Sequence, residues 1–162
     1  MPEVVCNSTP LIHLSKAGRL YLLKDFFQEI LVPKEVLVET IVNGNGSPYA
    51  REIEKSDWIR PIAIRDANLE TALKLILDDD ESAVIVLALE QNADLVLMDD
   101  YDGRAVAAEY SLRVAGTIGL LLKAKYEGKI VSLGHELDIL KEGGFWLSEG
   151  LYQRFLKEAG EI

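Results

Sequence analysis

The sequence predicts an α/β fold built on a mostly parallel sheet, and three observations predict it. Short apolar runs, Val4-Val5-Cys6, Ile30-Leu31-Val32 and Leu95-Val96-Leu97-Met98, read as strands buried on both faces. Stretches with helical capping residues or helical periodicity alternate with them. No repeat, low-complexity tract or long linker interrupts that alternation, so residues 1–162 read as one domain.

In chain order, Val4 to Cys6 forms a short strand, and Thr9 is suited to an N-cap with Pro10 at the first helical position. Leu11, Ile12, Leu14, Leu20, Leu22 and Leu23 support helix on either side of a break at Gly18. Ile30 to Val32 is a second strand, and Pro33 starts a helix through about Val42. Asn43 to Pro48 is the clearest loop. A short helix over Tyr49 to Lys55 leads to an extended piece, Trp58 to Ile64. Ala67 to Leu77 fits an amphipathic helix with Leu69, Leu73 and Ile76 on one side.

Glu81 to Gln91 is ambiguous by periodicity, because Ala83 through Leu89 are all apolar. Only about three residues separate it from Leu95, far fewer than the crossover joining two parallel strands. It therefore reads as a buried helix, with Asp78 to Glu81 suited to its N-terminus through capping and the macrodipole. After the strand at Leu95, Arg104 to Tyr110 is helical and Leu112 to Ala115 is a strand. Thr117 can cap a helix to Glu127, with Gly128 as its stop. Leu133 to Glu142 and a Ser148-capped segment through about Ala159 complete the helices.

Composition narrows the function. Apolar residues make up 49% of the chain and are spread along it, which opposes a disordered polypeptide. No apolar run approaches the roughly 18 residues of a membrane span. The start at Met1 lacks a signal-peptide pattern and Cys6 is the single cysteine, so the expectation is a cytoplasmic protein with a buried thiol. Seventeen basic against 27 acidic residues give −10, which opposes non-specific binding to nucleic acid. It does not exclude nucleic acid as a substrate, because bound cations invert the field of an acidic pocket. It also suits a basic partner.

The chemistry-bearing residues are oxygen donors. Asn7 follows the first strand, Glu39 lies on the helix after Pro33, Glu81 begins the buried helix, and Asp99 and Asp100 end the strand at Leu95. In a parallel α/β sheet, ligands bind outside the carboxyl ends of the strands. Mg²⁺ and Mn²⁺ favour such donors, Mg²⁺ commonly through one or two carboxylates with waters and substrate phosphates. Taken singly, Glu35 and Glu39 read as a solvated helix face and Asp78 to Glu81 as a cap, whereas charge directly after a buried strand needs a reason. Arg104 fits a phosphate contact or an ion pair with Asp102 or Glu109. His13 and His135 are too few for a zinc site, and His13, Trp58 and Trp146 read as core.

In order and spacing these residues resemble a PIN domain, in the branch related to VapC toxins. The resemblance runs through Val4-Val5-Cys6-Asn7-Ser8-Thr9-Pro10, Pro33 to Glu39, Asp80-Glu81-Ser82-Ala83, Leu97 to Ala107 and Gly116-Thr117-Ile118-Gly119. The tail from Gly144 through Glu161 extends it over nearly the whole chain. It implies a PIN-like three-layer sandwich, its mostly parallel sheet flanked by helices, and metal-dependent RNA cleavage. It further implies an RNA substrate, Mg²⁺ or Mn²⁺ as cofactor, a homodimer, and an antitoxin protein as partner. It places the acidic positions at Asn7, Glu39, Glu81 and Asp100, with Asp99 a competing alignment and Asp102 a lesser contributor. Three departures stand out: Asn7 for the usual Asp, Glu81 for a shorter Asp, and Met98 where many relatives carry a small hydroxyl residue.

Two other readings compete. Asp100-Tyr101-Asp102-Gly103 resembles the nucleophile loop of haloacid-dehalogenase-like phosphatases, but that motif stands early in its domain and only 60 residues follow Asp102. The loss of charge at Asn7 favours a catalytically weak PIN-fold module that binds nucleic acid or protein.

Overall fold

The computed structural model describes residues 2–162. At its centre lie five parallel strands, β1 (Val4–Cys6), β2 (Ile30–Pro33), β3 (Ile59–Ile62), β4 (Leu95–Leu97) and β5 (Val114–Ala115), in the order β3-β2-β1-β4-β5. Helices fill every crossover, as parallel neighbours require. α1 (Ser8–Lys16) and α2 (Tyr21–Phe27) join β1 to β2, and α3 (Lys34–Gly44) and α4 (Pro48–Lys55) join β2 to β3. α5 (Ala67–Leu73) and α6 (Asp79–Glu90) lead to β4, and α7 (Tyr101–Glu109) to β5. α8 (Thr117–Tyr126), α9 (Leu133–Glu142) and α10 (Glu149–Glu158) close the chain. None of the described helices is long and apolar enough to cross a membrane.

Alternation along the strands builds the layers. Val4, Cys6, Ile30, Val32 and Leu97 point into one core with Leu11, Leu22, Val36, Leu121 and Leu137. Val5, Leu31, Val96 and Met98 point into the other, with Leu73, Val84, Leu87 and Ala107. The result is the three-layer α/β arrangement of the sequence reading, because strands this apolar have helices on both faces. α6 resolves the ambiguous run: Ala83 through Ala88 are all buried, so a helix enclosed on every side shows no amphipathic period.

Several boundaries differ from expectation. Asn7, with extended backbone, is the N-cap of α1, so Thr9 lies inside the helix and Pro10 occupies its third position, where no intrahelical N–H is required. α3 continues to Gly44, shortening the loop. α5 stops at Leu73, so Ile76 faces solvent at 65% exposure and Leu77 enters the core instead. Gly116 rather than Thr117 caps α8. Trp146 is 81% exposed, because Phe145 takes the inward place against His13 with ring centroids 5.0 Å apart. Cys6 is buried in the core, as read, and Trp58 packs half-buried against it.

The C-terminal tail is latched by Glu161. Its carboxylate accepts from Lys125 Nζ at 2.6 Å, Leu133 N at 2.6 Å, Gly134 N at 3.0 Å and Ser132 Oγ at 3.2 Å, covering the free amides at the start of α9. Burial opposes its charge, but Lys125 and the two amides outweigh it and hold the pKa down at about 2. The latch is therefore complete above the ordinary value of 4.5 and lost as pH falls toward 2. Glu161→Gln is expected to cost about 2 kcal/mol in urea unfolding at neutral pH. The gap from wild type should close as the titration is repeated at progressively lower pH.

Candidate metal centre at the switch point

From β1 the chain moves to β2 and β3 on one side, then returns to place β4 and β5 on the other. The carboxyl ends of β1 and β4 thus flank the crevice where connections diverge, the usual ligand position in such sheets. The register Cys6↔Leu97 and the bond from Asn7 N to Leu97 O, 2.9 Å, set Asn7 beside the start of Met98-Asp99-Asp100. α6 delivers its N-terminal acids to the same edge.

Asn7 is unusual for an N-cap residue: its side chain makes no capping bond. It is buried, and its Oδ1 has no hydrogen-bond partner. Glu81 is also buried, at 5% exposure, with Oε2 unpartnered. Its other oxygen accepts from Asp78 N at 3.4 Å while Asp78 Oδ1 accepts from Glu81 N at 2.8 Å, a reciprocal capping box. The box fixes Glu81, and Gly103 leaves room for it, since a Cβ there would lie 2.5 Å from Glu81 Oε2 and 2.5 Å from Met98 Sδ. A buried polar atom without a partner is costly, and two of them stand at one sheet edge.

The carboxyls are arranged in two pairs. Glu81 stands against Asp100, which also caps α7 by accepting from Gly103 N at 3.1 Å. Burial first, then the contacts with Asp100 and Asp78, push the Glu81 pKa up to about 8. Asp100 is lowered by the Glu81 proton and the Gly103 amide. Asp80 stands against the exposed Glu39 and accepts from Ser8 Oγ at 3.3 Å. Burial and then Glu39 raise the Asp80 pKa to about 6. At neutral pH Glu81 is therefore held largely protonated beside Asp100, because burial and a neighbouring carboxylate both disfavour its charge.

These shifts carry a stability consequence. Glu81 binds its proton more tightly in the folded protein, about 8 against an ordinary 4.5, so the stabilisation is full below 4.5 and lost as pH rises through 8. In metal-free buffer, Tm is expected to fall steadily over that window. Glu81→Gln, which keeps the hydrogen-bond donor without the charge, should flatten the decline.

Of the residues singled out by sequence, the structure brings Glu81 to Asp100, with Asn7 at the neighbouring strand end. Glu39 meets Asp80 instead of Glu81. Asp99 is turned away: Thr117 N at 2.7 Å and Thr117 Oγ1 at 2.6 Å engage its two oxygens, tying β4 to α8. Arg104 pairs with neither Asp102 nor Glu109; its Nη1 lies 2.6 Å from where a Gly116 Cβ would be, beside Asp99. Asp102 is exposed on the first turn of α7. Asp80, Ser8 and Thr117 were not singled out for a site. The run Asp78-Asp79-Asp80-Glu81 holds the relevant signal, because residues in one helical turn fan outward and only some face the crevice.

The donor set is all oxygen. Among the described residues no three His, Cys, Asp or Glu side chains form a ready-made cage. Two unpartnered buried oxygens, Asn7 Oδ1 and Glu81 Oε2, beside Asp100 nevertheless fit an octahedral cation that completes its shell with water and phosphate. The protein set would be Asn7, Glu81 and Asp100, with Asp80 and Glu39 flanking them. A family model described as a PIN domain matches residues 3–161. No curated protein matches the chain.

Proposed function

This chain belongs to the PIN-domain family, and we propose that it is a Mg²⁺- or Mn²⁺-dependent ribonuclease hydrolysing RNA phosphodiester bonds at the β1/β4 crevice. The observation that carries the reading is the pairing of two buried, unpartnered oxygens, Asn7 Oδ1 and Glu81 Oε2, with the raised Glu81 proton. When bound, the cation supplies an activated water and stabilises charge on the leaving oxygen. Glu81 and Asp100 would hold the ion as charged ligands, Glu81 giving up its proton to do so, and Asn7 would add a neutral oxygen. Asp80, raised only to about 6 and therefore mostly ionised at neutral pH, adds negative charge beside them next to exposed Glu39. Arg104, without an ion pair at the rim, is placed to contact a substrate phosphate. Asp99 orients Asp100 by fixing the strand end to Thr117.

Within this reading the protein is a cytoplasmic, single-domain, toxin-like member of the VapC-related branch, a homodimer whose acidic charge suits a basic antitoxin segment. One feature favours a second reading, a catalytically weak PIN-fold interaction module: Asn7 gives the site one negative charge fewer than a carboxylate would.

The deciding experiment is calorimetric titration with Mn²⁺ followed by an RNA-cleavage assay with and without EDTA. Binding should release close to one proton per ion near neutral pH, because Glu81 is protonated there. Affinity should rise with pH and level off above about 8. Cleavage should appear with Mn²⁺ and vanish with EDTA. Mn²⁺ binding without cleavage would favour the interaction module, and no binding would sink both the metal and the nuclease assignment.

A further inference from the structure

Away from the crevice, the acidic chain gathers positive charge in one place. A groove of about 560 Å³ runs along α4 beside α2, lined by Lys24, Arg51, Lys55 and Trp58 together with Glu52 and Asp57. A second hollow of about 300 Å³, lined by Ser15, Lys16 and Tyr49, joins it through shared Pro48 and Glu52. Lys16, Lys24, Arg51 and Lys55 are all exposed, and none pairs with a carboxylate among the described residues. Glu52 accepts from Ser15 Oγ at 2.7 Å, and with Asp57 it sets two acids against the four cations. Lys16 Nζ stands 5.1 Å above the Tyr49 ring, and half-buried Trp58 supplies a second aromatic wall.

In a chain of net charge −10, four cations against two acids along the two adjoining hollows leave a local excess of positive charge, opposite in sign to the whole protein. A polyanion relieves the repulsion among those cations, as in grooves that track a nucleic-acid backbone. α1 connects the groove to the crevice. Ser8 at its start contacts Asp80, and Ser15 and Lys16 at its end line the adjoining hollow, about 11 Å away along the helix. A carboxylate-rich cleavage site repels RNA until a cation is bound, so a cationic surface within one helix length would hold the strand in the meantime.

We propose that the α4 groove is a second contact surface for RNA, gripping the phosphodiester backbone of the strand that is cut at the crevice. An acidic peptide shares the charge, and the PIN-domain family of the chain favours RNA over it. The proposal rests on the ribonuclease reading for its substrate, and its test is a binding measurement that needs no cleavage.

A fluorescein-labelled single-stranded oligoribonucleotide of roughly 15 nucleotides is titrated with the full chain in EDTA and followed by anisotropy. Lys24→Ala/Arg51→Ala/Lys55→Ala should weaken binding about 10-fold or more at moderate salt and make the log–log salt slope shallower by about 2, near 0.7 per lost phosphate contact. Arg113→Ala/Lys141→Ala/Lys157→Ala removes the same charge elsewhere and should have a much smaller effect. Circular dichroism checks that both variants fold, and the three single variants provide the same comparison if a triple variant does not. Equal losses in the two triple variants would reduce the effect to net charge and overturn the proposal, as would unchanged binding in the groove variant. Polyglutamate binding in preference to RNA, with the same dependence on Lys24, Arg51 and Lys55, would assign the groove to an acidic protein and also overturn it. Groove-dependent RNA binding in a protein that shows no Mn²⁺-dependent cleavage would uphold the contact surface and sink the nuclease reading alone.

Discussion

Arg19→Ala is expected to cost about 3–5 kcal/mol of folding stability, the largest loss of any single exposed-edge replacement in this chain. Arg19 lies in the turn between α1 and α2, and its Nε and Nη2 both donate to Glu136 Oε1 on α9. Glu136 is only 2% exposed, and its second oxygen has no partner. Arg19 Nη1 also donates to Tyr21 OH at 3.0 Å, and contact with Glu136 raises the guanidinium pKa. Removing the arginine leaves an uncompensated carboxylate inside the protein, which costs far more than the loss of a surface ion pair. Urea unfolding measures the effect. The combined change Arg19→Met/Glu136→Leu should recover most of the loss, because it removes the buried charge along with its partner. A loss below about 1 kcal/mol for Arg19→Ala would show that water reaches Glu136 and compensates it.

The framework of the fold was legible because it depends on patterns the chain repeats locally. Buried strands are short apolar runs, and α6 could be recognised by connection length where periodicity failed. What was not legible depends on partners distant in sequence. Thr117 has the chemistry of an N-cap, yet its hydroxyl bonds to Asp99, 18 residues earlier. Asn7 is the cap in place of Thr9, but its side chain is withheld from the helix amides. Trp146 looks like core by composition, and only the packing of Phe145 on His13 turns it outward. The site was legible as a set of strand-end and helix-start oxygens, but its internal pairing was not. Glu39 could be placed on the correct helix, whereas its contact with Asp80 rather than Glu81 follows from how α3 and α6 approach each other. The adjacent pair Asp99-Asp100 shows the same limit most sharply, since two neighbouring residues of identical chemistry face different elements.

That division leads to the prediction with the largest effect on activity. Asp100→Asn is expected to reduce Mn²⁺-dependent RNA cleavage by at least about 100-fold, the scale seen when preorganised charge is removed from a reaction centre. Asp100 carries the negative charge opposite Glu81, so its loss leaves the site with one ionisable ligand and the neutral oxygen of Asn7. The fold should tolerate the change, because Asn retains an oxygen for the Gly103 amide and is itself a favoured cap. Asp99→Asn should behave in the opposite way. It weakens two short bonds to Thr117 and is expected to cost about 2 kcal/mol of stability, while cleavage falls by less than about 10-fold because Asp99 acts only through the position of the strand end. Measuring Tm, Mn²⁺ affinity and cleavage rate on both variants separates the roles. Loss of Mn²⁺ affinity in Asp99→Asn with Asp100→Asn unaffected would shift the metal site by one residue toward α8. Loss in both to the same degree would mean that the Thr117 clasp and the Glu81 pair form one unit around the ion.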